Sequence, residues 1–242
     1  MQQPLKNKTV LVTRSKEQAE EFIHQLKSLG AKTISLPLIN TKAINQTELI
    51  QNIQTHHFDW IIFTSPNAVN YFFETVNPLN VTSKIAVVGS KTKAFVESKK
   101  LKVDFIPTKF IAKQLAEELP LSGNETIFIP RSSLAKDDAI AILENRNCSV
   151  KTLSIYENYQ VSYTKEEVEN IIYQNVDFIT FTSGSTVLSF LKLGIPVKNE
   201  KVICIGPETE KVATQNNIKV TATANPHTIE GMINSIKKSL TN

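Results

Sequence analysis

Residues 59–69 read DWIIFTSPNAV and residues 177–187 read DFITFTSGSTV. Each stretch opens on an acid, runs through four largely apolar residues, bends on small hydroxyl-bearing residues and enters a segment with helical spacing. A short apolar run bounded by turn residues marks a strand covered on both faces, as in a parallel sheet. Ser65-Pro66 then sets a capping residue ahead of proline at the first helical position. The same corner from strand to helix is therefore written twice.

The rest of the chain repeats with it. VLVTRS (10–15) lies over IFIPRS (127–132), with 117 positions from Arg14 to Arg131. KIAVVGSKT (84–92) lies over KVICIGPET (201–209) at the same offset, and the opening pair aligns at 118. Three blocks in one order at nearly one spacing identify a duplicated half-length unit. Strands are predicted over 9–13, 33–36, 60–63, 85–88 and 103–106, then over 126–129, 150–155, 178–181, 202–205 and 219–222. Helices fill the intervals. In SKEQAEEFIHQLKSLG, Ser15 is the expected cap, Gln18 completes a capping box and Gly30 ends the helix. Thr164 and Glu167 spell a second capping box. Ten strands alternating with helices predict two similar α/β domains with parallel, flavodoxin-like or Rossmann-like sheets. PLSGN (120–124) is the clearest turn between the repeats. Pattern alone cuts the chain near residue 122, although elements exchanged across a double linker fit the periodicity equally well.

With 242 residues, 41% apolar and 21% charged, the chain has the composition of an ordinary globular protein. No stretch approaches the roughly 20 apolar residues of a membrane span, and MQQPLKNKTVLVTR carries no apolar signal-peptide core. Cys148 and Cys204 sit apart in apolar surroundings, as buried thiols of a reducing cytoplasm do. The net charge of +4 is mild. The densest basic run, Lys99, Lys100 and Lys102, reads as a solvated helix end, so no nucleic-acid partner is expected.

Ligands of open parallel sheets bind beyond the carboxyl ends of the strands. Six corners there carry Arg14, Ser65 with Asn67, Gly89 with Ser90, Arg131 with Ser132, Ser183 with Ser185, and Gly206 with Thr209. Each is capped by small residues whose unpaired N–H groups, with the positive end of the helix dipole, favour an anion. Only three arginines stand against 24 lysines, and two of them fall at equivalent corners. Guanidinium suits planar carboxylates. A polyanion bound by both domains is the resulting expectation. No GxGxxG follows a strand and no GxxxxGK[ST] occurs. The first strand lacks the acids of a phosphorelay receiver, and His24, His56, His57 and His227 show no ligand spacing. No metal, nucleotide or flavin is predicted. In LSIYENYQVSY, Tyr156, Tyr159 and Tyr163 follow a strand, and the repeat sets Ile39 opposite Tyr156, which breaks the symmetry.

The stretches VLVTRSKEQAEEFIHQLKSLGA, DWIIFTSPNAVNYFF, KIAVVG, IPRSSLAKDD, DFITFTSGSTVLSFL and CIGPETEKVA together resemble the uroporphyrinogen-III synthase family. The resemblance implies two flavodoxin-like domains joined by a two-stranded linker: 1–37 with 158–242, and 41–153, with linker segments at about 36–42 and 153–159. That overrules the cut near 122. It implies cofactor-free closure of linear hydroxymethylbilane, with loss of water and inversion of the last pyrrole, by a cytoplasmic monomer that can meet the preceding pathway enzyme transiently. It places substrate carboxylates near Arg14, Ser65, Asn67, Gly89, Ser90, Arg131, Ser132, Ser183, Ser185, Gly206 and Thr209, with Tyr156 as general acid. The sequence departs from the family's usual Ser-Pro-Ser and Gly-Pro corners at Gly184 and Ser90. The rival readings are a non-catalytic two-domain receptor for a carboxylated ligand and a glycosyltransferase-like enzyme, for which no nucleotide signal exists.

Overall fold

The computed structural model describes residues 3–172 and 174–240, with the side chains of Glu17 and Ile172 left aside. In chain order the elements are β1 (Thr9–Val12), α1 (Lys16–Ser28), β2 (Lys32–Ser35), β3 (Ile39–Ala43), α2 (Gln46–Thr55), β4 (Trp60–Phe63), α3 (Pro66–Phe73), β5 (Lys84–Val87), α4 (Ser90–Ser98) and α5 (Ala112–Glu118). They continue with β6 (Thr126–Ser132), α6 (Asp138–Asn145), β7 (Ser149–Gln160), α7 (Lys165–Ile172), β8 (Phe178–Phe181), α8 (Gly184–Lys192), β9 (Lys201–Cys204), α9 (Pro207–Gln215), β10 (Val220–Thr223) and α10 (Ile229–Lys238).

Contacts divide the chain into two compact units, Met1–Asn40 with Tyr159–Asn242, and Thr41–Asn158. The cut near residue 122 falls inside the second unit, so pattern alone misplaced it. In the first unit the sheet order is β2-β1-β8-β9-β10, with every pair parallel. That is the flavodoxin-like order 2-1-3-4-5. In the second, β7-β6-β4-β5 repeats the order with parallel pairs, and β3 is added at the edge. β3 runs against β7. The Ile44 N–H donates to the Ile155 carbonyl at 3.0 Å, while Lys42, nearer the N-terminus, pairs with Glu157 at 3.0 Å.

The acid that opens each repeated corner explains which strands become neighbours. Asp59, just before β4, accepts the Thr126 N–H at 2.8 Å and the Thr126 hydroxyl at 2.8 Å, tying down the start of β6. Asp177, just before β8, accepts the Thr9 N–H at 2.8 Å and pairs with Lys8 at 2.7 Å, tying down the start of β1. Each repeat thus lends its first two strands to the other's sheet, β1 and β2 in one direction and β6 and β7 in the other. Backbone conformation carries the duplication too. Asn7 and Asn124, Gly30 and Asn147, and Lys100 and Asn217 all have positive φ, and each pair is separated by the same 117 positions.

Two expected elements differ. Residues 103–106 form no strand; Phe105 makes one bridge to Ala86. Pro107, which has no N–H to donate, follows at once and stops the ladder. Ser15 stands before α1 without a side-chain cap bond: the Gln18 N–H donates to the Ser15 carbonyl at 3.1 Å, and the Gln18 side chain accepts from Arg14 instead of reaching back to close the box. The Thr164–Glu167 box forms as read, with the Thr164 N–H donating to the Glu167 carboxylate at 2.7 Å and the Glu167 N–H returning to the Thr164 hydroxyl at 3.2 Å.

Helices cover both faces of each sheet. In the first unit Phe22 and Met232 pack on one face, and Phe181 and Phe190 on the other. In the second unit Phe63, Phe72 and Phe128 fill one face, while Trp60, Leu115 and Leu143 fill the opposite one. Each fully buried side chain of this size contributes about 1.5–3 kcal/mol.

Candidate functional site

In a sheet of order 2-1-3-4-5 the switch point lies between the first and third positions. In the first unit these are β1 and β8, which bring the corners of Arg14 and Ser183 side by side. In the second they are β6 and β4, which do the same for Arg131 and Ser65.

Arg14 is half-buried. Its Nε donates to Gln18 Oε1 at 2.9 Å, and no carboxylate stands within ion-pair distance of it among the described residues. Burial pushes its pKa below the ordinary arginine value, and the charge of Glu21 offsets part of that shift. A partly desolvated guanidinium at a strand end, with no acid partner among the described side chains, has the chemistry to take an anion. Beside it, Ser183 caps α8 in a reciprocal box with Thr186, at 3.2 and 3.3 Å, and its hydroxyl meets that of Ser185 at 2.9 Å. A β-carbon at residue 184 would come within 2.7 Å of Val212, so Gly184 is set by the close approach of α9. Gly206 precedes α9, with its α-carbon facing His227, and Thr209 is buried. Glu208 and Glu210 occupy the first turn of α9 and compete with any incoming anion there.

In the second unit, Ser65 caps α3 by accepting the Ala68 N–H at 3.1 Å, and Asn67 follows in the first turn. Gly89 precedes α4, whose first residue is Ser90; Phe110 stands over Gly89. No acid occupies the first turn of α3, α4 or α8, so three helix N-termini keep their positive field. The hydroxyls of Ser65 and Tyr156 meet at 3.0 Å. Tyr156, on β7, is 7% exposed, and its ring stacks on Tyr71 at 5.3 Å between centroids and 18° between planes. The Tyr71 hydroxyl in turn meets that of Thr41 on β3 at 2.9 Å.

The second guanidinium is placed differently from the first. Arg131 is 12% exposed and pairs with Asp137 at 2.7 Å while donating to the Ala135 carbonyl, so it anchors the loop after β6. Ser132 accepts the Leu134 N–H in that loop at 3.2 Å. The third arginine, Arg146, donates to the carbonyls of Ala116 and Glu117 at the end of α5, a structural task. Tyr163 donates to the Pro37 carbonyl at 2.7 Å, and burial pushes its pKa up to about 12.

The structure thus gathers Arg14, Ser183, Ser185, Gly206 and Thr209 on one sheet edge. It gathers Ser65, Asn67, Gly89, Ser90, Arg131, Ser132 and Tyr156 on the other. Sequence reasoning missed Tyr71 as the ring stacked on Tyr156, Thr41 as the partner of Tyr71, and Asp137 as the partner of Arg131. Tyr71 lies along an apolar helix and carries no local signal of its role. Among the described residues no group of three or more His, Cys, Asp or Glu is placed to hold a metal ion.

Residues 2–234 match the family described as Uroporphyrinogen-III synthase HemD. The chain is 30% identical to the putative uroporphyrinogen-III synthase of Methanocaldococcus jannaschii, covering 94% of this chain and 97% of that one. It is 28% identical to the uroporphyrinogen-III synthase of Synechococcus elongatus, covering 98% and 97%. It is also 30% identical to the porphyrin biosynthesis protein HemD of Ruminiclostridium josui over 98% of this chain, but it spans only about half, 49%, of that relative's length. The fold is shared with the crystal structure of uroporphyrinogen-III synthetase from Helicobacter pylori, with a TM-score of 0.67 at 19% identity over 96% of this chain and 99% of that one. Matched along almost its whole length, and built on the paired sheets described above, the chain belongs to the uroporphyrinogen-III synthase family.

Proposed function

We propose that the chain is the enzyme that closes linear hydroxymethylbilane to uroporphyrinogen III, with loss of water and inversion of the terminal pyrrole. The observation that carries this reading is the family match over residues 2–234. The sheet edges support it. A tetrapyrrole fringed with acetate and propionate groups meets Arg14, which has no acid partner among the described side chains, and the acid-free N-termini of α3, α4 and α8. The remaining corners at Gly206, Thr209, Arg131 and Ser132 are assigned to the same substrate, with a weaker pull at Gly206 because of Glu208 and Glu210.

The chemistry asks little of a nucleophile. A pyrrole nitrogen lone pair expels the terminal hydroxyl as water once a proton is supplied, leaving an azafulvene at the first ring. The substituted carbon of the last ring attacks its methylene, which gives a spiro centre. The older bond at that centre breaks, and the last ring closes through its free carbon with loss of a proton, now inverted. The Tyr156 hydroxyl, held by Ser65 at 3.0 Å, is the proposed proton donor to the leaving hydroxyl. The protein's main contribution is to hold the flexible chain in the reactive curl, an effect that reaches about 7–11 kcal/mol in ideal cases. The enzyme acts as a monomer in the cytoplasm and meets the preceding pathway enzyme transiently. No helix among the described residues is long and apolar enough to cross a membrane.

The test is isomer analysis. With freshly generated hydroxymethylbilane, the chain is expected to give mainly the inverted isomer. A receptor without activity would leave only the uninverted isomer of spontaneous closure, and that outcome overturns the proposal.

A further inference from the structure

A cavity of about 450 Å³ opens inside the second unit at its switch point, below Thr64 and Arg131. Its walls are Ile62 and Ile129 of the sheet, Ala112 and Leu115 of α5, and Ala139 and Leu143 of α6. It therefore lies on the face of the sheet opposite the cluster that contains Tyr156. The volume is within the range of about 300–1,000 Å³ typical of small-molecule pockets.

The duplication shows why the space exists. Counting 117 positions back from Ala139 reaches Phe22, and from Leu143 reaches Leu26. The same step forward from Ala112 reaches Ile229, and from Leu115 reaches Met232. In the first unit Phe22, Leu26 and Met232 are fully buried in one packed cluster with Ile229 against it. The second unit keeps the leucine but has alanine in place of the phenylalanine and one isoleucine. A core that is filled in one copy has been emptied in the other, at the strand ends where such sheets bind ligands. The mouth is basic: Arg131, Lys113 and Lys136 line it against one acid, Asp138. Arg131 is held by Asp137, and Lys113 faces Glu117 at 3.9 Å.

We infer that this cavity receives one pyrrole ring of the substrate, with the ring on the apolar walls and its acid side chains at the basic mouth. The inference rests on the proposed activity for the identity of the ligand. The volume admits a single ring with its arms, not a tetrapyrrole, so the cavity anchors a ring other than the one whose hydroxyl leaves beside Tyr156. Asp137 holds Arg131 until a substrate carboxylate replaces it.

The test uses methyl-labelled protein titrated with porphobilinogen, a single pyrrole bearing one acetate and one propionate. Methyl resonances of Ile62, Ile129 and Leu143 are expected to shift. Ala139→Phe, which restores the side chain of the filled copy, is expected to abolish the shifts. It is also expected to raise the KM for hydroxymethylbilane at least tenfold without lowering Tm. Ala112→Ile is the second variant should Ala139→Phe fold poorly. Silent methyls in the parent, or shifts that survive filling, overturn the inference. The titration needs no turnover, so binding without the inverted product would sink the proposed reaction alone. Inverted product with silent methyls would sink the cavity alone.

Discussion

Tyr156 and the two guanidinium groups at matched corners carry separable expectations. Tyr156→Phe keeps the ring stacked on Tyr71 and removes only the hydroxyl that meets Ser65. If that hydroxyl supplies the proton, kcat falls by roughly 10²–10⁴-fold with KM nearly constant; an unchanged kcat in single-turnover assays removes Tyr156 from the chemistry. Arg14→Ala deletes a group with no acid partner among the described residues, so Tm is expected to hold while KM rises roughly ten- to a hundredfold, the worth of a charge-assisted hydrogen bond. Arg131→Ala must lower Tm as well, because it frees the loop that Asp137 and Ala135 close onto the guanidinium. Thermal scans of both variants separate the two cases. Cys204 is fully buried, and desolvation, with Glu210 adding to it, pushes its thiol up to about 12; burial also raises that of Cys148. Neither is expected to react with a thiol reagent near pH 8 until the chain is unfolded, which timed thiol counting checks.

At the scale of elements, the acid before each repeated strand is a stabilising device with a pH signature. The N–H of Thr126, then its hydroxyl, hold the Asp59 carboxyl below the usual carboxylate range. A depressed pKa contributes stability above the unfolded value of about 3.9 and loses it as pH falls through the folded value. Since Asp59 is nearly half exposed, the contribution is discounted to about 1 kcal/mol. Asp59→Asn is therefore expected to flatten the fall in the urea midpoint below pH 4, where the parent declines. Strands such as β4, β8 and β9 were legible because their runs are short, apolar and closed by turn residues. The edge strand β3 was missed by periodicity, since three of its five residues, Asn40, Thr41 and Lys42, are polar in a row; only its pairing with β7 makes it a strand. Residues 103–106 misled in the opposite sense, with Val103, Phe105 and Ile106 reading as a strand that Pro107 cuts off. The candidate site was legible only as a set of corners, because capping residues are local chemistry. Its Tyr71–Tyr156 stack and its Arg131–Asp137 pair were not, because they depend on where distant segments meet.

For the molecule as a whole, the duplication read from three blocks appears as two sheets of one order, but with the opening strands traded between copies. Periodicity reported that a unit occurs twice and could not report which half each strand would join. That choice depends on pairings such as Asp177 with Thr9, made across 168 positions of chain. The stretch from Thr41 to Asn158 is continuous, whereas the other compact body is assembled from both ends of the polypeptide. Expressed alone, residues 41–158 are expected to fold cooperatively, and a sigmoidal thermal transition of that fragment would establish it.

The trade of strands also sets a timetable. As the nascent polypeptide leaves the ribosome, β1 emerges ahead of the inserted segment, yet its neighbour β8 is translated only after it. Local pairings close early and distant ones late. Translation is therefore expected to release a finished middle while the apolar faces of β1 and α1 still wait uncovered, and slow elongation ahead of β8 would prolong their exposure to chaperones and proteases.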